Sequence, residues 1–264
     1  MNGLSLAVRD IWESFVHSQL WLWAGLQDIK LRYRRSTLGP WWLTISTGIL
    51  VASMGFLYAG IFKSSISDYL PHFAVGQVFW FFFSGQLNEA TTAFTQFDSV
   101  LKQVKVPMTS CVLRVLVRNV IIFAHNVVII VIVFCVFGFN FSAANLLLIP
   151  GFLILIITLF SLSMIVAMLC TRFRDLAQIV SSGLQILFFL SPIFWKADVL
   201  GGGARALLVK LNPVYYLIEI VRQPLFGNIG IPKVWLGAVI IMIASTAIAA
   251  LLFSRYRYRI TYWL

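Results

Sequence analysis

The sequence predicts an all-α integral membrane fold. Six transmembrane helices follow an N-terminal amphipathic interfacial helix, re-entrant half-helices lie between spans five and six, and both termini are cytoplasmic. Three observations predict it. Of 264 residues, 60% are hydrophobic and only 11% charged, against roughly 25% charged in soluble domains, so lipid must be the solvent for much of the chain. Stretches free of Asp, Glu, Lys and Arg occupy 40–62, 69–88, 119–171, 176–195 and 234–254, each near or above the ~20 residues a bilayer core requires. The basic residues cluster between those stretches, as anchoring and orienting residues do. The net charge of +11 therefore reads as membrane orientation, and no nucleic-acid partner is expected.

Residues 4–31 read as one interfacial helix or two short ones. Leu4, Val8, Ile11, Phe15, Leu22, Leu26 and Ile29 recur at helical spacing beside Trp12 and Trp23, a pattern suited to the headgroup plane. Asp10, Glu13, Asp28 and Lys30 interrupt any continuous apolar run, so no cleavable signal peptide is expected. Lys30, Arg32, Arg34 and Arg35 then place four positive charges within six residues and hold the chain at the cytoplasmic surface. Gly39-Pro40 breaks the helix, since proline lacks an amide donor and disfavours a helical residue before it. Trp41 and Trp42 open the first span at interface depth.

The spans follow as 40–62, 69–88, 117–138, 146–170, 176–195 and 234–254. The run 119–171 is too long for one helix and divides at Gly138, Asn140, Asn145 and Pro150, where turn formers gather. Residues 95–118, with Asp98, Lys102 and Lys105, read as the longest cytoplasmic loop, and Thr171 to Asp175 as a very short one. With the N-terminus inside, fourteen Lys and Arg face the cytoplasm, Arg114 and Arg118 among the loop charges, and six face out. That bias favours both termini inside, which an even number of spans requires. The chain reads as one domain, 1–264, divided into a cytoplasmic interfacial helix and basic turn (1–39), a six-span bundle (40–254), an extracytoplasmic gate (196–233) and a cytoplasmic tail (255–264).

Residues 196–233 are too apolar for a free loop: Leu207, Leu208, Leu211, Val214, Leu217 and Ile220 recur there, broken by Asn212-Pro213 and Pro224. Interrupted apolar segments that do not span read as re-entrant, here two half-helices entered through Ser191-Pro192. Glu219 and Arg222, three apart, fall on one helical face and are placed to pair.

Little in the chain suits catalysis. No phosphate-binding GxxxxGK[ST] loop occurs, since Gly201-Gly202-Gly203-Ala204 lacks its lysine and hydroxyl. His17, His72 and His125 are scattered, and Cys111, Cys135 and Cys170 share no metal-ligand spacing, the latter two reading as small buried hydrophobes. The spans avoid ionisable groups at their centres, which counts against an ion-coupled carrier. Glu89, just past the end of the second span, lies about 27 Å along the helix from Pro71 and so near the cytoplasmic interface. The spans instead carry aromatic rings: Trp41, Trp42, Phe79, Trp80, Phe188, Phe189, Trp195, Tyr215 and Tyr216. The apolar C–H face of a sugar can lie on such rings through contacts of about 0.1–0.2 kcal/mol per atom pair, shallow enough for a polymer to slide.

The stretches Asp28-Ile29-Lys30, Arg32 to Trp42, Leu211-Asn212-Pro213-Val214-Tyr215-Tyr216 with Arg222, Arg172-Phe173-Arg174-Asp175, and Tyr262-Trp263-Leu264 resemble the permease subunits of type-2 ABC exporters, in their polysaccharide-export branch. The resemblance covers essentially the whole chain. It implies a homodimeric, non-catalytic permease in the bacterial inner membrane, partnered with two copies of a cytoplasmic ATP-binding subunit. ATP and Mg would reside on that subunit and no cofactor on this chain. The implied cargo is an undecaprenyl-linked polysaccharide, lipopolysaccharide O-antigen before capsule or teichoic acid. Coupling to the ATPase would fall to Arg32, Arg34, Arg35, Leu38, Gly39, Asp98, Lys102, Arg172, Arg174 and Asp175. The outer gate would comprise Ser191, Pro192, Asn212, Pro213, Glu219 and Arg222. A drug or lipid exporter permease would share the topology, whereas a membrane-embedded glycolipid transferase would need paired acids or a metal site, which the sequence does not offer.

Overall fold

The computed structural model describes residues 3–34, 36–39, 41–138, 142–196 and 204–264. Arg35, Pro40, Asn140 and Gly201 to Gly203, each singled out above, lie outside them. Among the described residues the chain is helical throughout, with no strand. The helices are α1 (Gly3–Val16), α2 (Ser18–Tyr33), α3 (Trp41–Ile61), α4 (Ile66–Ala90), α5 (Asp98–Gln103), α6 (Thr109–Phe137), α7 (Leu148–Arg172), α8 (Leu176–Leu190), α9 (Ala204–Leu211), α10 (Pro213–Leu225) and α11 (Pro232–Trp263). Two 3₁₀ turns, Thr95–Phe97 and Ala143–Leu147, precede α5 and α7.

Helices stand at all six positions expected of spans. Four of them, α3, α6, α11 and the stretch Ala143–Arg172 that contains α7, are long and apolar enough to cross a membrane. The other two differ for separate reasons. Helix α4 has 25 residues but carries Asp68, His72, Gln77, Gln86 and Glu89 among its apolar ones. Helix α8 is apolar but has 15 residues, about 22 Å of rise.

Helix α4 is the axis of the bundle. It packs against α3, α6, α7, α8 and α10, while α11 runs along α7 and α2 lies on α6. The burial pattern is that of a lipid-solvated protein. Leu236, Ile240, Ile243 and Leu251 of α11 and Val131, Ile132 and Val136 of α6 are exposed, which water would penalise and lipid does not. Inside, close approach needs small residues. A Cβ on Gly151 would lie 2.7 Å from the backbone oxygen of Ile220, so glycine there sets how closely α7 and α10 meet.

The N-terminal segment forms two helices broken at His17, one of the two forms expected, and their two stripes have different surroundings. Val8, Trp12 and Phe15 are exposed, while Ala7, Asp10 and Ser14 are buried against the bundle. The apolar stripe is left for lipid and the polar stripe docks on protein.

Two further expectations change. Residues 109–118 are not loop but the first turns of α6, and 98–103 is itself helical, which confines the connection to a few residues. Arg114 and Arg118 do not end the helix because carboxylates neutralise them. Cys170 is buried as expected, and so is Cys111, but Cys135 is exposed on α6.

Candidate functional site

The helices alternate in direction, so the bundle has two ends. At one end lie α1, α2, the close of α4, the start of α6, the close of α7 and the close of α11. Three Arg and two acids meet there. Arg118, 4% exposed, donates through Nη1 to Asp28 at 2.9 Å and through Nη2 to Glu89 at 2.6 Å. Arg114 forks onto both oxygens of Asp28. Arg32 reaches Glu89 at 2.8 Å, and the Asn119 amide donates to the same carboxylate at 2.8 Å. One network thus ties α2, α4 and α6 together. Arg114 and Arg118 share a helical face by their four-residue spacing, the one signal in the sequence that distinguishes them from loop charges.

A second cluster sits beside it. Asp10, fully buried, accepts the backbone amides of Met108 at 3.2 Å and Thr109 at 3.0 Å and the Thr109 hydroxyl at 2.8 Å. Arg257 of α11 completes the set at 2.7 Å. Helix α6 has no side-chain cap from its own N-cap residue. A carboxylate from α1 supplies that function and meets the positive end of the helix dipole.

The expected coupling residues among the described ones share this end with varied surroundings. Arg32 is engaged with Glu89. Arg34 is exposed at the C-cap of α2. Leu38 is exposed, and Gly39 adopts φ +56, a left-handed turn that favours glycine. Asp98 and Lys102 pair at 2.7 Å on exposed α5. Arg172 lies over the rings of Phe173 and Trp263, while Arg174 and Asp175 are exposed in the turn before α8.

Between α3, α4 and α8 runs a groove with a cavity of 580 Å³. Its rings form a chain: Trp80 to Phe188 at 5.5 Å, Phe188 to Phe194 at 5.7 Å, and Phe194 to Tyr58 at 5.7 Å. Phe189 flanks it at 5.4 Å from Phe188. Polar groups share the walls. Gln77, Ser84 and Asn88 of α4 and Ser181 and Gln185 of α8 all line it, at seven- and four-residue intervals that hold one helical face. The stripe on α4 is roughly 16 Å long. The Gln77 Oε1 is buried without a partner among the described residues. Sequence reasoning missed this amide stripe, although its spacing in otherwise apolar helices was the available signal.

Of the nine expected aromatics, Trp80, Phe188 and Phe189 line the groove. Trp195 adjoins it, its indole N–H donating to the Phe189 carbonyl at 3.3 Å. Phe79 turns the other way and packs on Phe123 at 5.0 Å. Trp41 and Trp42 are exposed at the start of α3. Tyr215 and Tyr216 meet edge to face at 5.2 Å in α10, with Tyr216 donating to the Lys210 carbonyl at 2.7 Å.

At the opposite end the six residues expected in the gate converge. Asn212 donates to Ser191 Oγ at 2.8 Å and caps α10 by accepting Val214 N–H at 2.9 Å, and Pro213 opens that helix. Arg222 donates to Glu219 at 2.6 Å, as their spacing predicts, and to the Pro192 carbonyl at 2.9 Å. Both side chains are buried, so the chain does carry ionisable groups inside its apolar body, as a neutralising pair. Among the described residues no group of His, Cys, Asp and Glu suited to a metal ion occurs.

The family model described as ABC-2 type transporter matches residues 19–226. The O-antigen export system permease protein RfbA of Myxococcus xanthus is 24% identical over 213 residues, covering 80% of this chain and 82% of that protein. Two proteins of the same name from Klebsiella pneumoniae are 25% identical over 175 residues, with 66% and 68% covered, and 24% identical over 203 residues, with 76% and 78% covered.

Proposed function

Because the chain belongs to the ABC-2 type transporter family, a family of membrane transport components, we propose that it is the permease subunit of an ATP-driven exporter of lipid-linked polysaccharide. O-antigen is the first candidate, ahead of capsule or teichoic acid. The observation that carries this reading is that three relatives, matched over 66% to 80% of the chain, bear the name of O-antigen export permeases. The groove suits such a cargo. Rings offer planes for sugar C–H faces, and the amides and hydroxyls of Gln77, Ser84, Asn88 and Gln185 offer hydrogen bonds to sugar hydroxyls.

In this reading six helices span, both termini are cytoplasmic, and the membrane is the bacterial inner one. Helix α4 crosses with Asp68 and Glu89 at its ends, about 32 Å apart, close to the hydrocarbon thickness of a bilayer. The short helices α9 and α10 dip back as the re-entrant outer gate. A second copy of the chain closes the groove along the exposed Ile179, Ile186 and Phe189 of α8. A separate ATP-binding subunit, holding ATP and Mg, docks at the end bearing α1, α2 and α5. The ion network then passes its stroke from α2 to α4 and α6.

Co-expression with a candidate ATPase and reconstitution into vesicles test the proposal. Complex formation and ATP-dependent transfer of polymer across the membrane are expected. Hydrolysis of nucleotide by the isolated chain, or transport without a partner, would overturn it. Replacing Trp41, Trp42, Phe189 or Tyr216 with Ala is expected to slow export while leaving insertion and ATPase assembly intact, as measured by polymer output against complex yield. Wild-type output from all four would remove the aromatic path. Reversing Arg172 and Arg174 together is expected to leave ATP hydrolysis running while export falls, and an unchanged ratio of polymer exported to ATP hydrolysed would reduce them to topological anchors.

A further inference from the structure

The helices around the aromatic groove keep their charges away from it. Helices α3 and α8 carry no Asp, Glu, Lys or Arg along their whole lengths. Helix α4 carries two acids, and neither lines the groove. Asp68 lies nine residues before Gln77, about two and a half turns, which puts it on the opposite side of the helix. It accepts the Ser65 hydroxyl at 2.6 Å and lines a separate cavity together with Lys196. Glu89 follows the groove residue Asn88 but is held by Arg118 at 2.6 Å and Arg32 at 2.8 Å, toward α6 and α2.

What α4 and α8 present to the groove instead is Gln77, Ser84, Asn88, Ser181 and Gln185. Each of these side chains holds both a donor and an acceptor. A sugar hydroxyl also donates and accepts, so it finds a partner on such a wall in either orientation. A carboxylate or phosphate only accepts, and pores that pass anions line themselves with Arg or Lys. Between rings, amides and hydroxyls an anion gives up its water and meets no counter-charge, which is costly. Where a second copy closes the groove along α8, the facing wall comes from the same uncharged helix.

On the reading of the chain as a polysaccharide permease, on which this step rests, we infer that the groove selects polymers with uncharged repeat units. Polymers bearing a carboxylate or phosphate on each repeat are poor cargo. A charge at the lipid end is met once per chain, whereas one on every repeat is met again at each advance along the stripe. Gln185 and Ser181 of α8, with the α4 stripe, are then specificity-determining positions.

Vesicles holding the full chain with its ATP-binding subunit test this with two cargoes. One is a lipid-linked polymer of neutral hexose, and the other is the same polymer with part of its primary hydroxyls oxidised to carboxylates. ATP-dependent transfer of the oxidised polymer is expected to be at least about tenfold slower, as an uncompensated charge implies. Gln185→Lys puts a cation on the groove wall and is expected to narrow that gap by speeding the oxidised polymer. Complex yield and helical circular dichroism check that the variant folds, and the wild-type comparison decides by itself if it does not. Equal rates for the two polymers, or faster transfer of the oxidised one, would overturn the inference. An unchanged gap in folded Gln185→Lys would overturn its assignment to the groove. Transfer of neither polymer would instead overturn the reading of the chain as a polysaccharide permease.

Discussion

Asp10→Ala is expected to destabilise the purified protein by about 3–5 kcal/mol, the range for removing one partner of a buried ion pair. Asp10 has no exposure at all and ties α1 to two other helices. It caps the first amides of α6, receives the Thr109 hydroxyl, and balances Arg257 of α11 at 2.7 Å. Its loss leaves a partly buried guanidinium without a counter-ion and the start of a 29-residue helix without a cap, an additional loss of about 0.5–2 kcal/mol where it is separable. Asp10→Asn keeps an acceptor for the amides but not the charge, so it should fall between wild type and Asp10→Ala. Denaturant titration in detergent micelles measures all three. A wild-type midpoint for Asp10→Ala would mean that α1 merely rests on the bundle and is not keyed to it.

The second large effect concerns the buried pair of α10. Glu219→Ala strands Arg222 in an apolar interior and is expected to cost about 3–5 kcal/mol. Replacing both residues with apolar ones of similar volume, Glu219→Leu/Arg222→Met, removes the stranded charge along with the pair, and is expected to be much closer to wild type. The contrast is the test: if the double variant is as unstable as the two single losses added together, the pair is not an isolated electrostatic unit and its coupling to Pro192 and Gln223 dominates.

Much of the architecture was legible from local chemistry. Apolar run lengths located helices at all six span positions, the turn formers between 138 and 150 located the break between α6 and α7, and Asn212-Pro213 located the cap of α10. Each of these rests on the residue's own backbone preference or on its transfer into lipid, which neighbours hardly alter. The pairing of Glu219 with Arg222 was likewise readable, because three residues on a helix fixes their separation.

What failed to be read involved partners far apart in sequence. Arg114 and Arg118 look like loop charges until Asp28 and Glu89, 86 and 29 residues away, are brought against them. Their charge is then neutralised, and the helix continues through them. The outward turn of Val8, Trp12 and Phe15 has the same origin: only the docked position of Asp10 on α6 decides which stripe of α1 meets protein. The groove is similar, since Trp80 faces it while Phe79, one residue earlier, turns to Phe123.

By itself the sequence determined that much of this chain lives in lipid and where its six long apolar segments lie, because these follow from composition and local backbone chemistry. Tertiary structure alone decided which charges are neutralised, which rings share a cavity and which face of α4 turns to it. Those outcomes depend on distances between helices, and no property of a residue or of its near neighbours encodes them singly.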